Sequence, residues 1–283
     1  NVSVRLNSSV KRINYTDDKV CGITLDSNEI VKGDKVIVCT GGLSYKSTGS
    51  TGDGLIWASE SGHRIESPVP SLVPLTTKEK WVYELQGLSL KNVKLKLVVD
   101  GKTKYEEMGE MLFTHFGISG PLVLTASSVL AHQRDYREAS VYLDIKPALS
   151  DDEFDKRLIR ELKEGNNKEF KNILGGIYPA KLAGIICELA GVDSYKKCNT
   201  ITKEERSALV DITKRMCIKI SGTRDFDEAI ITKGGVSLKD VNPKTMESRR
   251  ISGLFFAGEV LDLDAYTGGF NLQIAFSTGY SAG

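Results

Sequence analysis

The chain has 283 residues, 40% of them hydrophobic and 27% charged, with 38 Lys and Arg against 37 Asp and Glu for a formal net charge of +1. That length carries one large domain or two to three smaller ones around a sizeable core. The even charge argues against a nucleic-acid binder, which carries a basic excess on one face, and no apolar stretch approaches a membrane span.

Five cysteines (Cys21, Cys39, Cys187, Cys198 and Cys217) form no C-x-x-C. An odd, scattered set points away from a disulfide framework or a cysteine zinc site and towards a reducing cytosol. The three histidines, His63, His115 and His132, are also dispersed, so no metal centre is expected. The chain begins without Met or a signal peptide and stops at "YSAG" in what reads as mid-helix, which reads as a fragment.

In chain order, residues 1 to 13 read as a strand, with Val2, Val4 and Leu6 alternating. Residues 20 to 25 and 29 to 31 read as a β-ribbon. "KVIVCTGG" at 35 to 42 carries the continuous apolar run of a strand buried on both faces of a parallel sheet. Asp53 then caps a helix of about two turns, which Gly62 ends in the left-handed conformation. Pro68, Pro70 and Pro74 mark a crossing between domains. From 81 to 145 the text is β-like, with a hairpin signal at Asp100-Gly101 and one helix opening at Gly120-Pro121. Residues 150 to 215 are helical: Phe154, Leu158, Ile159 and Leu162 recur at helical spacing behind a Ser-Asp cap region. Strands return at "CIKISGTRDF", "EAIITKGGV" and "GLFFAG". The order suggests an α/β domain interrupted by an inserted module.

The final stretch, "GLFFAGEVLDLDAYTGGFNLQIAFSTGYSAG", carries the most specific chemistry. A parallel strand ending in Gly258-Glu259 places an acid at the carboxyl edge of the sheet, where ligands of open α/β sheets bind. Gly268-Gly269 before a helix lets a ligand approach free N–H groups at a positive helix end. A dinucleotide such as FAD needs both an acceptor for hydroxyls and donors for its pyrophosphate or flavin carbonyl. The competing reading is an ordinary strand-loop-helix turn. "VIVCTGG" is a weaker signal, since tight packing is the more common reason for such glycines. In "GSTGDG" Asp53 is either a plain N-cap or a cap that also faces the ligand, and the G-x-G-x-x-G fingerprint is absent. His115 is the one candidate for acid-base work, but no partner can be named for it and a structural histidine is the preferred reading. The catalytic residues are otherwise unassigned.

Together, "VIVCTGGLSYKSTGSTGDGLIWASESGH", "SLVPL", "GEMLFTHFGISGP", "ITKGGV", "TMES" and the final stretch resemble the bacterial BaiN-like, or aminoacetone-oxidase-like, NAD(P)/FAD-dependent oxidoreductases over nearly the whole chain. The resemblance implies a Rossmann-like FAD domain of the glutathione-reductase type, with inserted β-barrel-like and helical domains. The expected division is 1–68 and 250–283 for the FAD domain, 69–149 and 216–249 for the barrel, and 150–215 for the helical insert. The same resemblance implies that Gly258 and Glu259 lie along the ribityl and pyrophosphate, and that Gly268, Gly269, Asn271, Leu272 and Gln273 meet the pyrimidine edge. Thr40, Gly41 and Gly42 would flank the dinucleotide, Asp53 would match the acid of Thr-Gly-Asp-Gly, and Val10 would touch adenine through its backbone. The family opens with a strand and a G-x-G-x-x-G turn that this sequence lacks, so the chain alone is expected to bind FAD poorly and to be inactive.

The function so implied is hydride transfer through FAD to or from a small organic substrate, with NAD(P)H as a candidate donor, in the bacterial cytoplasm and without nucleic acid or membrane. Substrate, electron partner and oligomeric state are open. The alternative is a non-catalytic flavin-fold module that binds protein or RNA. A phosphate-handling hydrolase lacks a Walker motif and an acidic metal cluster.

Overall fold

The computed structural model describes residues 2–133 and 137–283. Asn1, the first residue of the expected opening strand, and residues 134–136, within the expected β-rich region, lie outside the described residues. The chain forms two compact units, Asn1–Leu72 with Asp225–Gly283, and Val73–Arg224.

The first unit opens with β1 (Val10–Thr16), β2 (Lys19–Leu25) and β3 (Ile30–Lys32), an antiparallel sheet in the order β1-β2-β3. The expected strand over 1 to 13 therefore begins only at Val10. Asn7 is left-handed at φ 52° and breaks the extended run, and Val2, Val4 and Leu6 are exposed. β4 (Val36–Val38) follows, then α1 (Asp53–Glu60) and β5 (Ile65–Ser71). Val38 is buried but Ile37 is 42% exposed, so β4 is not covered on both faces. Gly52, at φ 90°, takes the cap position expected of Asp53, which is instead the first helical residue. Its carboxylate still suits the positive helix end and accepts a hydrogen bond from Thr51 Oγ1 at 2.8 Å. Ser61 closes the helix, with left-handed Gly62 beyond it.

The second unit is a six-stranded closed barrel joined to helices. Its staves are β6 (Leu75–Thr77), β7 (Ser89–Val99), β8 (Lys102–Phe113), β9 (Gly117–Ser119), β10 (Ala139–Asp144) and β11 (Met216–Thr223), in the order β10-β11-β6-β9-β8-β7. Asp100 and Gly101, at φ 47° and 75°, form the two-residue turn that sets Val99 opposite Lys102. Two left-handed residues match the twist of the flanking strands. The helices are α2 (Trp81–Glu84), a single turn inside the region expected to be β-like, α3 (Pro121–Ala131), α4 (Asp151–Glu164), α5 (Lys171–Leu174), α6 (Ala180–Ala190) and α7 (Lys203–Arg215). Ser150 and Glu153 form a reciprocal capping box that starts α4: Glu153 N donates to Ser150 Oγ at 3.3 Å and Ser150 N to the Glu153 carboxylate at 2.8 Å. Phe154, Leu158 and Leu162 turn inward from α4 and share one core with Leu95, Leu97, Val141 and Ile218 of the barrel. Each such burial stabilises by about 1.5–3 kcal/mol.

The first unit resumes with β12 (Ile231–Val236), β13 (Leu254–Phe256) and α8 (Phe270–Ala282). β12 pairs antiparallel with β5, so it belongs to the first unit, whereas β11 is a barrel stave. β13 pairs parallel with β4 in the register Leu254–Val36, Ile37–Phe255 and Val38–Phe256. This pairing of sequence-distant strands defines the site described next.

Candidate functional site

Because β4 and β13 are parallel and in register, the segments that leave their carboxyl ends lie side by side. Thr40, Gly41 and Gly42 follow β4, and Gly258 and Glu259 follow β13, with Ala257 N donating to Val38 O at 3.0 Å. The carboxyl edge at such a neighbouring pair is where open α/β sheets bind ligands.

Thr232 of β12 ties the two connections together. Its Oγ1 accepts from Leu43 N at 2.7 Å and Ser44 N at 3.1 Å, while its own N–H donates to Glu259 Oε1 at 2.6 Å. Gly42 must be glycine in this arrangement. A Cβ there would stand 2.4 Å from Thr232 Oγ1 and 3.0 Å from Glu259 Oε1. Burial pushes the Glu259 carboxyl above its ordinary range, and the Thr232 N–H opposes that shift.

Other glycines are explained by packing. A Cβ at Gly54 would meet Thr40 Oγ1 at 2.2 Å and Val38 Cγ1 at 2.8 Å, so this glycine seats α1 on β4. The second glycine of Thr-Gly-Asp-Gly thus has a structural task, and Asp53 is exposed.

The α8 end is different. Gly268 and Gly269 are left-handed at φ 109° and 91°, and nothing stands within 4 Å of the Cβ position of Gly269. The first helical bond runs from Gln273 N to Gly269 O, leaving the N–H groups of Phe270, Asn271 and Leu272 without helical acceptors. The Asn271 side chain is engaged in the preceding loop: its Oδ1 accepts from Ala265 N, and its Nδ2 donates to Ala265 O, both at 2.9 Å. Gln273 Nε2 donates to Ser277 Oγ at 3.1 Å. Leu272 is exposed. Gly258 N donates to Thr278 Oγ1 at 2.9 Å, which joins the β13 connection to α8.

These groups suit a dinucleotide. The backbone at the exposed Gly269 is open to close approach, a desolvated carboxylate offers an acceptor, and a helix end offers donors.

Two of the expected residues are not part of these contacts. Val10 opens β1 and, among the described residues, makes no hydrogen bond to these connections. His115 is exposed in the turn between β8 and β9 of the second unit, edge-on to Phe116 with ring centroids 4.9 Å apart. The sequence reading named the "ITKGGV" segment without resolving its parts. Besides Thr232, it holds Lys233, which is 8% exposed, with Nζ 3.7 Å from Asp264 Oδ1 in the loop before Gly268. A lysine inside a short strand with no other charge was the available signal. Among the described residues, no group of histidine, cysteine and acidic side chains could hold a metal ion, and no helix is long and apolar enough to cross a membrane.

Comparisons with known proteins bear on the family of the chain. The chain is 32% identical over 251 residues to the 3-dehydro-bile acid delta(4,6)-reductase of Clostridium scindens, covering 88% of this chain and 61% of that protein. It is 35% identical over 277 residues to the ribosomal RNA dihydrouridine synthase of Haemophilus influenzae, covering 97% and 65%. The corresponding Escherichia coli protein is 31% identical over 284 residues, covering 99% and 67%. The chain thus spans roughly two thirds of the length of these relatives. A likeness to Aquifex aeolicus GidA covers 97% of this chain and 46% of that one, at 11% identity and a TM-score of 0.33, too low to bear on the argument. The match to the family described as HI0933-like protein Rossmann domain covers residues 1–283. With its parallel strand pair, its paired glycine connections and this full-length match, the chain belongs to the HI0933-like Rossmann family.

Proposed function

We propose that this chain carries much of an FAD-dependent reductase that adds hydride and a proton across an activated carbon–carbon double bond. The observation that carries the reading is the Gly42–Thr232–Glu259 arrangement at the carboxyl edge of β4 and β13. Glu259 would accept hydroxyl hydrogens of the FAD ribityl or ribose. The left-handed backbone of Gly258 would run along the pyrophosphate, and the α8 N-terminus, with Gly268 and Gly269, would face the pyrimidine edge. The glutathione-reductase-type arrangement is part of this reading.

FAD, when bound, supplies a two-electron hydride carrier. The protein supplies position and field: the positive end of α8 favours negative charge beside it. Lys233 and Asp264 fix the loop that delivers Gly268, and Asn271 fixes it from the helix side.

The double bond is suggested by the relatives' names. A delta(4,6)-reductase and a dihydrouridine synthase are both named for adding two hydrogens to a carbon–carbon double bond; for this chain NAD(P)H is a candidate donor. A small organic substrate agrees with the net charge of +1. A uracil ring in RNA is the second reading, favoured by 31–35% identity to two RNA-modifying relatives over nearly the whole chain.

The test is the absorption spectrum of the whole protein with FAD, then anaerobic bleaching by NADPH and recovery of colour on adding a conjugated 3-oxosteroid or a ribosomal RNA transcript. Recovery with the steroid supports the small-molecule reading, and recovery with RNA alone supports the second. A protein that is colourless once unbound FAD has been removed by gel filtration overturns both.

A further inference from the structure

Several cations of the second unit are paired with carboxylates at short range. On one face of the barrel Lys94 lies 2.6 Å from Glu106, Lys214 lies 2.6 Å from Asp144, and Arg215 lies 2.8 Å from Asp151. A second cleft departs from that pattern. It has a volume of about 670 Å³ and lies between the start of β7, Met108 of β8, the loop after β10, and α4. Three cations line it, Lys91, Lys146 and Arg157, and its described lining contains no Asp or Glu.

The two inner cations are poorly neutralised. The Lys146 ammonium sits 5.9 Å from the centre of the Tyr178 ring and has no ion pair among the described residues. Burial and the neighbouring Arg157 charge both lower its pKa. Arg157 Nη2 donates to Gly176 O at 2.9 Å, which holds the guanidinium in place, yet its Nε is buried without a hydrogen-bond acceptor. The nearest carboxylate, Glu161, stands 3.8 Å from Arg157 and is shared with Arg160 at 3.7 Å. Beside these charges the wall is apolar, with Leu90, Val93, Ile145 and Leu149, and Met108 is 58% exposed.

We propose that this cleft binds an amphipathic anion, an apolar body lying along Met108 and Leu149 with its carboxylate or phosphate head beside Lys146 and Arg157. The volume falls within the range of small-molecule sites, about 300–1,000 Å³. A guanidinium and an ammonium lining the same cleft, close enough for one charge to perturb the other, suit an anionic head. Two adjacent like charges with no carboxylate in the lining favour the occupied state. The site lies within the second unit and does not depend on the flavin reading.

Octanoate and octyl phosphate are the probes, titrated calorimetrically into the whole protein, with octanol and acetate as the apolar and charged halves alone. Both octyl anions should bind at least about tenfold more tightly than either half, since a charge-assisted hydrogen bond contributes roughly 1.5–3 kcal/mol. Lys146→Met should weaken octanoate about tenfold while FAD affinity stays unchanged. Met108→Asp alters an exposed position that folding tolerates, sets a carboxylate beside the site, and should weaken octanoate as well. No binding of either anion, or octanoate binding unchanged in both variants, overturns the proposal.

Discussion

In the second unit the barrel closes on itself and its large apolar side chains face inward. Among the described residues only Met108, Tyr142 and Tyr195 are left exposed there. In the first unit the sheets are short, and α8 presents Phe270, Leu272, Phe276 and Tyr280 to solvent, from 59% to 90% exposed. The groups that suit a ligand also gather in the first unit, on the connections after β4 and β13. The contrast separates two uses of sequence. The second unit spends its residues on pairing and packing, whereas the first spends glycines and a desolvated carboxylate on a surface that must receive something else. Each unit holds one of the two tryptophans, Trp57 in α1 and Trp81 in α2, so single-tryptophan variants report on them separately.

The largest expected effect lies in the second unit. Phe154→Ala removes a fully buried ring and should cost about 3–5 kcal/mol of stability in denaturant titrations followed at Trp81. Trp57 and the FAD affinity of the folded fraction should be unaffected; a loss at both would show that the two units do not behave separately. Gly54→Ala drives a methyl group into Thr40 and Val38, and should cost roughly 1–3 kcal/mol at Trp57 alone.

Glu259→Gln separates stability from binding. The folded-state pKa of Glu259 is raised, so its contribution is fully present below the ordinary value of 4.5 and is lost as pH rises through the folded value. The variant should therefore be more stable than the parent at neutral pH in the absence of ligand, and bind FAD about tenfold less tightly. Lower stability together with unchanged affinity would break the assignment.

Smaller effects sharpen the comparison. Ser150→Ala opens the α4 capping box and should cost about 1 kcal/mol, read at Trp81. His63 is buried, with Nε2 2.7 Å from Ser248 Oγ and Nδ1 3.0 Å from Ser61 Oγ, and burial lowers its pKa. Its folded state resists protonation, so stability is full above the ordinary value of 6.5 and falls as pH drops through the lowered folded value. His63→Gln should flatten that acid limb at Trp57.

Legibility followed the range of the interactions. Local chemistry was readable: the Asp100-Gly101 turn, the Ser150 cap region, the periodicity of Phe154, Leu158 and Leu162, and the strand-glycine endings at Gly41-Gly42 and Gly258-Glu259. The opening strand misled because Val2, Val4 and Leu6 alternate without a partner, and Asn7 turns the chain before pairing begins. Barrel closure joins β10 to both β7 and β11, a non-local fact that no spacing encodes; only the family resemblance suggested it. In the site, Glu259 and Gly42 were named from local pattern. Thr232, which links them from 190 residues beyond Gly42 in the chain, was not, because its role exists only once β12 lies beside both connections.

The central claim is that the paired glycine connections and Glu259 hold FAD, and a titration of the flavin-stripped whole protein with FAD, followed by visible absorption, tests it most directly. Gly42→Val places a branched side chain against Thr232 Oγ1 and Glu259 Oε1. The account predicts saturable binding to the parent and an affinity at least about tenfold lower in the variant, the equivalent of 1.4 kcal/mol. Equal affinity in the two proteins, with both folded as judged at Trp57 and Trp81, would contradict it.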